Sequence, residues 1–521
     1  MHFSMRFLAT VPIAIVSALP QTTTPGATPA VNTTTCNGKT YVYESLAGYG
    51  FVPSNATDKF GDTIGGHGSS IAIDSSSWTR IGNSYTGLLY TLPDRGWNTN
   101  GTVNYQNRIH KFLLTFTPND SATVANPSPP NLKFRYLDTT LLTDPVDKPT
   151  SGLDADITGP YLNYPLVGEI PSVNYTGDGY GGPGAGDRRI VIDSEGLVLG
   201  PGGTYWVSDE YGDYIFNFLP NGRLIRTIRP PNAFIPIRNG NESFSADSPP
   251  IYNPALVPVP AQPTSGRSNN QGLEGLTVNP AGTRLYALTQ SALIQDGGTS
   301  NPTSRYARLL EYDITGINKN LVGEYVVPLN RVTASATSKI ARQSEIHYIS
   351  DTQFLVLGRD SGRGRGQGPT NTMSQYRDVD IFDISNATNI AGKSDCQTCA
   401  IAPAGVLNPN TTAATYCRWL DFNVNSQLRR FGVHNGGAED AGLLNEKWES
   451  IALVPVDKGP TGKAVNNEYY LLSLSDNDFI TQDGHLNFGR FSYRDGSGYN
   501  LDNQALLFKV QLPSGSSPLV A

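Results

Sequence analysis

Residues 269–293, NNQGLEGLTVNPAGTRLYALTQSAL, form two short apolar runs that are separated by the turn-like segment NPAGT. Runs of this length around a turn predict two antiparallel strands. Glu274 stands at the start of the first run, although ionised carboxylates are rarely placed in buried strands. This stretch decides the fold because phrases of the same kind recur along the chain.

Four further segments share the order of this one, and they cover residues 67–96, 193–213, 343–364 and 447–478. Each has a Glu, an apolar alternation, a turn, a second apolar run and polar residues at its end. The glutamates are Glu195, Glu274, Glu345 and Glu449, with Ser69 in the first copy. The polar ends are Asp94 and Arg95, Asp209 and Glu210, Thr289 and Gln290, Arg359 and Asp360, and Asp476 to Asp478.

A third run with period-two alternation usually follows each copy, as in RYARLLEYDITG from Arg305. Three strands joined in this way are the content of a propeller blade. The 54 Gly, 37 Pro and 26 Tyr residues also favour an all-β class. We therefore predict a single β-propeller of six blades with long inserted loops, in which residues 39–53 join the C-terminal strand as the sixth blade.

The N-terminus carries Arg6, an apolar run and small residues suited to cleavage, which predicts a signal peptide over residues 1–18 and a secreted, extracellular protein. A flexible Thr/Pro-rich segment is expected over residues 19–35, the propeller over 36–514 and a flexible tail over 515–521. No later apolar run is long enough for a membrane helix.

Features of secreted proteins recur in the remaining sequence. The four cysteines, Cys36, Cys396, Cys399 and Cys417, predict two structural disulfides with three possible pairings. Acceptor motifs for N-glycans occur at Asn32, Asn55, Asn100, Asn119, Asn174, Asn241, Asn386 and Asn410. A monomer that carries N-glycans is expected.

The net charge of −7 and the absence of a long basic run exclude nucleic acid and anionic membrane surfaces as natural partners. A cationic ligand fits this balance better. In a propeller, the start of the first strand and the end of the second meet at the same face, so the repeated acids converge on one mouth.

Clustered carboxylates need a cation or protonation, and calcium accepts oxygen ligands from separate loops. We therefore predict a Ca²⁺ site. The predicted metal ligands are Asp94, Glu195, Asp209, Glu274, Glu449 and Asp476. The alternative is that these side chains accept backbone N–H bonds and lock the turns of the blades.

Arg95 and Arg359 follow predicted strands beside these acids, where guanidinium groups could hold phosphate oxygens. The alternative is that they pair with the neighbouring acids. Glu345 or Glu210 is the predicted general base, and His67 is a candidate proton carrier because it lies near the repeated Glu position.

The motifs GLEGL, VSDEYGDYIF, SEIHYI and KWESIAL and the loop LPDRGWN resemble the phytase-like family, also described by the esterase-like activity of phytase. The resemblance covers about residues 48–513. It implies phosphoesterase chemistry at Asp94, Glu195, Asp209, Glu210, Glu274, Glu345, Glu449 and Asp476. The first copy departs from the pattern with Ser69, and the third copy ends in uncharged residues.

Three functions remain open from the sequence. The first is a secreted, calcium-dependent hydrolase of a small-molecule phosphoester. The second is a hydrolase of carboxylic esters or lactones, because the same metal polarises a carbonyl. The third is a non-enzymatic propeller that binds an extracellular ligand, since fold alone does not decide function.

Overall fold

The computed structural model describes residues 29–158, 161–299, 301–316, 320–459 and 463–519. The predicted signal peptide lies outside this part of the chain. The described chain begins with two paired strands, β1 (Asn32–Cys36) and β2 (Lys39–Val52). β1 includes residues of the segment predicted to be flexible, because its backbone pairs with β2 from Asn32 onward.

Blade one is a four-stranded antiparallel sheet. Its strands are β3 (Ser70–Ile81), β4 (Ser84–Leu92), β5 (Arg108–Phe116) and β6 (Leu132–Leu141). Two small hairpins follow before the second blade. They consist of β7 (Leu162–Tyr164), β8 (Gly168–Ile170), β9 (Ser172–Tyr175) and β10 (Asp187–Ile190). The segment between β6 and the second blade is therefore an insertion with its own strands.

Blades two and three repeat this arrangement in chain order. Blade two contains β11 (Ser194–Leu199), β12 (Tyr205–Asp209), β13 (Ile215–Phe218) and β14 (Leu224–Ile228). The short pair β15 (Ile237–Arg238) and β16 (Asn241–Glu242) follows. Blade three contains β17 (Leu273–Val278), β18 (Arg284–Thr289), β19 (Tyr306–Asp313) and β20 (Asn320–Pro328).

Blade four contains β21 (Arg342–Tyr348), β22 (Gln353–Arg359), β23 (Arg377–Asp383) and β24 (Thr415–Asp421). Helical structure in the described residues is confined to short turns outside the blades. These are α1 (Asn425–Leu428) and the 3₁₀ turns Pro201–Gly203, Ile294–Asp296, Pro403–Gly405, Arg429–Phe431 and Val465–Asn467. No helix in this part of the chain has the length and apolar character that a membrane crossing requires.

The last sheet closes the ring and corrects the predicted number of blades. Its later strands are β25 (Lys447–Pro455), β26 (Glu468–Asp476) and β29 (Asn503–Gln511), with the hairpin β27 (Gly484–Leu486) and β28 (Phe491–Tyr493) inserted. From the inside outward the sheet order is β25, β26, β29, β2 and β1. The N-terminal strand does pair with the C-terminal one, as predicted, but both belong to the fifth blade. The prediction of six blades was wrong, and the described chain forms five.

The five inner strands β3, β11, β17, β21 and β25 contact one another in this order, and β25 returns to β3. Apolar side chains fill the spaces between neighbouring blades, with Trp206 and Tyr348 in one cluster and Trp448 and Phe508 in another. The all-β propeller predicted from the sequence is therefore confirmed. The inner strand of each blade remains an edge of its own sheet, but closure of the ring places these five edges around the channel, where neighbouring blades protect them from foreign strands.

Disulfides and the C-terminal tail add further contacts to this ring. Both predicted disulfides form, one between Cys36 of β1 and Cys417 of β24 and the other between Cys396 and Cys399. The tail predicted to be flexible is bound as far as Leu519, whose amide donates to the Tyr348 carbonyl at 3.1 Å. The Leu519 side chain is buried at the inner channel because the apolar inner strands offer it a dry surface.

Candidate metal and substrate site

Bulges in the inner strands place the repeated glutamates at the mouth of the ring. In β17, Leu273 pairs with Thr289 and Gly275 pairs with Leu288, so Glu274 has no partner in the ladder. β25 skips Glu449 in the same way, and β11 has its bulge between Ser194 and Leu197, where Glu195 lies. An extra residue in one strand bends it and redirects a side chain. The Glu of each bulge therefore faces the polar end of the channel.

Gly follows Glu in two of these bulges because the neighbouring inner strands come very close. A Cβ at position 196 would lie 2.4 Å from the Leu276 Cβ, and one at position 275 would lie 2.9 Å from the Ile346 amide nitrogen. A larger side chain would separate the strands. The Glu-Gly pair thus combines a carboxylate at the mouth with close packing beneath it.

The mouth is a small polar pocket of about 90 Å³ with an excess of negative charge. Its cationic groups belong to Arg95, Arg359 and Lys447. Its carboxylates belong to Asp94, Asp193, Glu195, Glu274, Glu449 and Asp478. Three cations against six acids leave a deficit of positive charge inside the pocket.

One group of acids in this pocket already contains a cation. We call Asp94, Asp476 and Asp478 the lysine cluster, because the Lys447 ammonium lies 2.7 Å from Asp476 and 2.8 Å from Asp478. Asp94 accepts further hydrogen bonds from the Gly96 amide and the Asn98 side chain. Burial alone would lower the pKa of Lys447, but the surrounding carboxylates outweigh burial and raise this pKa well above its usual value. Lys447 therefore stays charged and neutralises its neighbours.

In a second group the cation contacts one acid only, since the Arg95 Nη1 lies 2.9 Å from Asp193. We call Asp193, Glu195 and Glu210 the open cluster, and one oxygen of each lies within 4.8 Å of the others. Asp193 and Glu210 are each 1% exposed, yet neither Asp193 oxygen nor the Glu210 Oε2 has a hydrogen-bond partner among the described residues. Buried polar atoms without partners are rare and need a cause. Three hard oxygen donors with free lone pairs are the ligand set that Ca²⁺ takes, so the residues fit this ion.

The electrostatics of the open cluster agree with a missing positive charge. Burial raises the pKa of Glu210 to about 8, and the nearby Asp193 carboxylate contributes to the same shift. Burial and the charge of Glu274 raise the pKa of Glu195 well above its usual value. Close carboxylates resist ionisation unless a cation joins them. A divalent ion bound there would remove this resistance.

Both predicted arginines reach the mouth, and both contact acids there. The Arg359 guanidinium lies 2.9 Å from Glu446 and 2.7 Å from Glu449. The Arg95 Nη1 lies 2.9 Å from Asp193, but Arg95 Nε and Nη1 have no aligned hydrogen-bond acceptor in the described residues. Arg95 therefore keeps donor capacity toward the pocket, whereas the terminal nitrogens of Arg359 are engaged by two acids.

Two predicted site residues lie away from the pocket. Asp209 accepts hydrogen bonds from the backbone amides of Asp193, Tyr211 and Gly212, at 2.9, 3.2 and 2.7 Å, and so locks the turn after β12. His67 is buried against Phe112, and burial lowers its pKa to about 3. Asp209 matches the alternative of a turn lock, and His67 stays neutral within blade one.

Glu345 lies in the channel below the mouth because its strand is offset by one residue. In β21 the unpaired bulge residue is Ser344, and Glu345 pairs with Leu357 in the ladder. A shift of one position turns a side chain to the other face. Its carboxylate accepts hydrogen bonds from the Ser70 hydroxyl at 2.6 Å and the Leu276 amide at 3.0 Å. Glu345 therefore links inner strands and does not join the mouth acids.

Three residues of the mouth were missed in the sequence, namely Asp193, Glu446 and Lys447. Asp193 begins one of the repeated segments, and Glu446 and Lys447 lie directly before the Trp-Glu of KWESIAL. An acid two residues before the repeated Glu was the available signal for Asp193. Nothing in the pattern identified Lys447 as the partner of acids from another strand.

Comparisons with known proteins now bear on this site. The family model described as "Phytase-like: Esterase-like activity of phytase" matches residues 81–479. A protein of Arthroderma benhamiae described as "Uncharacterized secreted protein" is 50% identical over 469 residues, which cover 88% of this chain and 91% of that protein.

Solved structures resemble the chain only weakly. The catalytic domain of an α-L-arabinofuranosidase from Coprinopsis cinerea shares 11% identity at a TM-score of 0.28, over 92% of this chain and 99% of that one. A luciferin-regenerating enzyme shares 11% identity at a TM-score of 0.27, over 88% of this chain and 95% of that one. Scores this low carry no argument about function. The family model matches more than half of the chain, and the chain belongs to the phytase-like family.

Proposed function

We propose that the protein is a secreted hydrolase of phosphoesters that depends on a divalent cation, with Ca²⁺ as the natural ion. The open cluster of Asp193, Glu195 and Glu210 is the observation that carries this proposal. Its Asp193 Oδ1 and Glu210 Oε2 are buried without a donor in the described residues, and Arg95 contacts Asp193 alone. The description of the family supports ester hydrolysis. The secreted relative, the two disulfides and the N-terminal sequence support export.

Asp193, Glu195 and Glu210 would hold the cation, and Glu274 borders them in the pocket. The lysine cluster is a poorer position for an ion, because Lys447 already donates to two of its acids. When bound, the ion would polarise an ester oxygen and lower the pKa of a nearby water. One cation per chain is therefore expected.

The side chains around this position would bind the substrate, accept a proton and add charge to the pocket wall. Arg95 has unused donors and would hold an anionic oxygen of the substrate. Glu274 has one oxygen bound by the Gln290 amide and the other without a partner in the described residues. The second oxygen is available to accept a proton from an attacking water. Glu449 holds the Arg359 guanidinium at the pocket wall, and the guanidinium adds positive charge there.

The pocket volume of about 90 Å³ admits one reacting group more easily than a large polyanion. The Arg95 guanidinium at the wall favours a phosphoryl oxygen over a neutral carbonyl, because its Nε has no acceptor in the described residues. The proposal is therefore a phosphoesterase that takes the ester group into the mouth and leaves the rest of the substrate outside.

The test uses the mature chain stripped with EDTA and then supplied with Ca²⁺. Turnover is measured on 4-nitrophenyl phosphate, on bis(4-nitrophenyl) phosphate and on a lactone. We expect Ca²⁺ to restore cleavage of a phosphoester and Asp193→Asn to abolish it, while the exposed control Asp483→Asn keeps wild-type turnover. Cleavage of the lactone alone would contradict the phosphoesterase assignment. Cation binding without any turnover would contradict hydrolysis and favour a binding propeller.

A further inference from the structure

A second and larger cleft opens on the same face as the mouth. Four connecting segments and the start of β5 line it. These segments are the loop after β2, the loop after β4, the insertion between β6 and β11, and the insertion between β26 and β29. Its volume is about 260 Å³, against about 90 Å³ for the mouth. The two pockets share no lining residue. Tyr105 lies between them, because it borders Gly96 toward the mouth and contacts Arg108 toward the cleft.

Positive charge in this cleft is only partly matched. Arg108 is neutralised by Asp58 at 2.7 Å and Asp62 at 2.9 Å. Arg490 is exposed at the cleft and forms no ion pair with any acid of the described residues. One of the three arginines therefore has its counter-ions, and Arg490 has none.

Arg189 is also short of acceptors. Its nearest carboxylate is Asp187 at 3.9 Å, and that carboxylate already lies 2.7 Å from Lys148. Its Nη1 donates to the Asn104 side chain at 3.3 Å, and its buried Nε has no partner in the part of the chain that the structure describes. A buried guanidinium nitrogen without an acceptor is costly. An anion in the cleft would supply that acceptor.

Asp178, the remaining acid that lines the cleft, is not free to pair with Arg189 or Arg490. The Asp178 Oδ1 accepts the amides of Tyr180 and Gly182, each at 2.9 Å, and its Oδ2 accepts the Asn487 side chain at 3.3 Å. These contacts hold the carboxylate within its own turn. Asp178 therefore shapes the wall and leaves both arginines to an external ligand.

Aromatic side chains give the cleft a flat apolar surface. Phe488 is 45% exposed at the rim, and its backbone has φ of 59° directly after Asn487 at 56°. Both residues lie in the turn between β27 and β28, where a tight hairpin uses positive φ at successive positions and holds Phe488 at the rim. Tyr175 lies under the Arg189 guanidinium at 5.2 Å. A ring placed against Phe488 would bring a substituent toward the two arginines.

We propose that this cleft binds a small organic anion, with a phosphate or carboxylate group held by Arg189 and Arg490 and a flat ring packed on Phe488. The site is separate from the mouth, requires no divalent cation and goes beyond the hydrolysis proposed above. It contains no cluster of free acids that would activate water, so its role is binding.

The test measures binding by calorimetry to the full mature chain in EDTA, which keeps divalent ions out of the mouth. The probes are phenylphosphonate, which cannot be hydrolysed as an ester, benzoate, and inorganic phosphate. We expect at least one ring probe to bind. Arg490→Gln and Arg189→Gln should each weaken binding by about tenfold or more. The matched control Arg494→Gln, an exposed arginine of the same insertion outside the cleft, should leave binding unchanged.

Phe488→Ala separates the ring contact from the charge contact. It should weaken binding of the ring probe by about threefold and leave binding of inorganic phosphate unchanged. Binding of phenylphosphonate alone would identify a phosphate ligand, and binding of benzoate alone a carboxylate ligand. If no ring probe binds at millimolar concentration, or if Arg490→Gln and Arg494→Gln behave alike while both fold normally, the proposal is wrong. Neither result depends on turnover at the mouth.

Discussion

The lysine cluster and the open cluster are built from the same type of residue at the same mouth, but only in the lysine cluster does one cation contact two of the acids. Asp476 and Asp478 receive the Lys447 ammonium, whereas Arg95 contacts Asp193 alone, and the Asp193 Oδ1 and Glu210 Oε2 have no donor in the described residues. Burial is similar for most of these acids. The difference teaches that the number of acids does not mark a cation site, and that the missing donor does.

Removal of the lysine should have the largest effect on this comparison. Lys447→Met leaves the buried Asp94 and Asp476 and the half-buried Asp478 without their cation, so we expect the free energy of unfolding in EDTA to fall by about 3 to 5 kcal/mol. Added Ca²⁺ should then occupy both clusters, and the number of bound ions per chain should rise from one to two. Chemical denaturation and metal titration measure these changes. An unchanged stoichiometry would contradict the idea that Lys447 takes the place of an ion.

Removal of an acid from the open cluster should weaken Ca²⁺ binding and raise the stability of the protein in EDTA. Glu195→Gln takes away a ligand that has no cationic partner, so Ca²⁺ affinity should fall about 100-fold, equivalent to about 2.7 kcal/mol. Stability in EDTA should rise, because repulsion between buried carboxylates decreases. Calorimetry and thermal unfolding with and without Ca²⁺ check both parts. A Ca²⁺ affinity equal to that of the wild type would remove the open cluster as the metal site.

Glu345 sharpens the comparison because its carboxylate has hydrogen-bond donors but no cation. Burial raises its pKa to about 8, although the Ser70 hydroxyl and the Leu276 and Ile346 amides oppose the shift. The stability that this group contributes is complete below its unfolded pKa of 4.5 and is lost as pH rises to about 8. Between these values, unfolding free energy should fall by about 1.4 kcal/mol per pH unit from this group.

Glu345→Gln should remove that dependence, because glutamine does not titrate. The difference in unfolding free energy between variant and wild type, measured in EDTA from pH 5 to pH 8, should change steadily in favour of the variant. Two parallel pH profiles would mean that Glu345 does not titrate in this range. The comparison uses only the slope, so any constant loss from altered hydrogen bonds does not affect it.

The smallest change should come from the outer acid of the lysine cluster. The Asp478 side chain is 26% exposed, and the Lys447 ammonium keeps its contact with Asp476 when Asp478 is altered. Asp478→Asn should therefore cost about 0.5 to 1 kcal/mol and leave Ca²⁺ affinity at the open cluster unchanged. A loss of Ca²⁺ binding as large as that of Glu195→Gln would show that the two clusters act as one site.

The sequence predicted the repeated blade and the convergence of acids at one mouth, because period-two alternation and turn residues are local signals. It misassigned the number of blades, since residues 39–53 carry a strand pattern but nothing that says which sheet they complete. It also misaligned Glu345 by one position. A bulge adds a residue without altering local composition, so the sequence does not show that Ser344, and not Glu345, is the unpaired bulge residue.

Partners from distant strands were equally hidden from the sequence. Asp209 and Asp94 look alike as polar strand ends, yet backbone amides occupy Asp209 completely. Lys447 lies beside a repeated Glu, but its contacts to Asp476 depend on the pairing of β25 with β26. Which acid remains without a donor is a property of the assembled ring.

The placement of β2 beside β29 has a consequence for how the protein is made. β2 is synthesised early, but its partner contains residues 503–511 and leaves the ribosome only after the other blades. Until then one flank of the growing molecule exposes unsatisfied backbone. Cys36 and Cys417 both precede that last strand, so their bond can tether the waiting segment to blade four and shorten its final search.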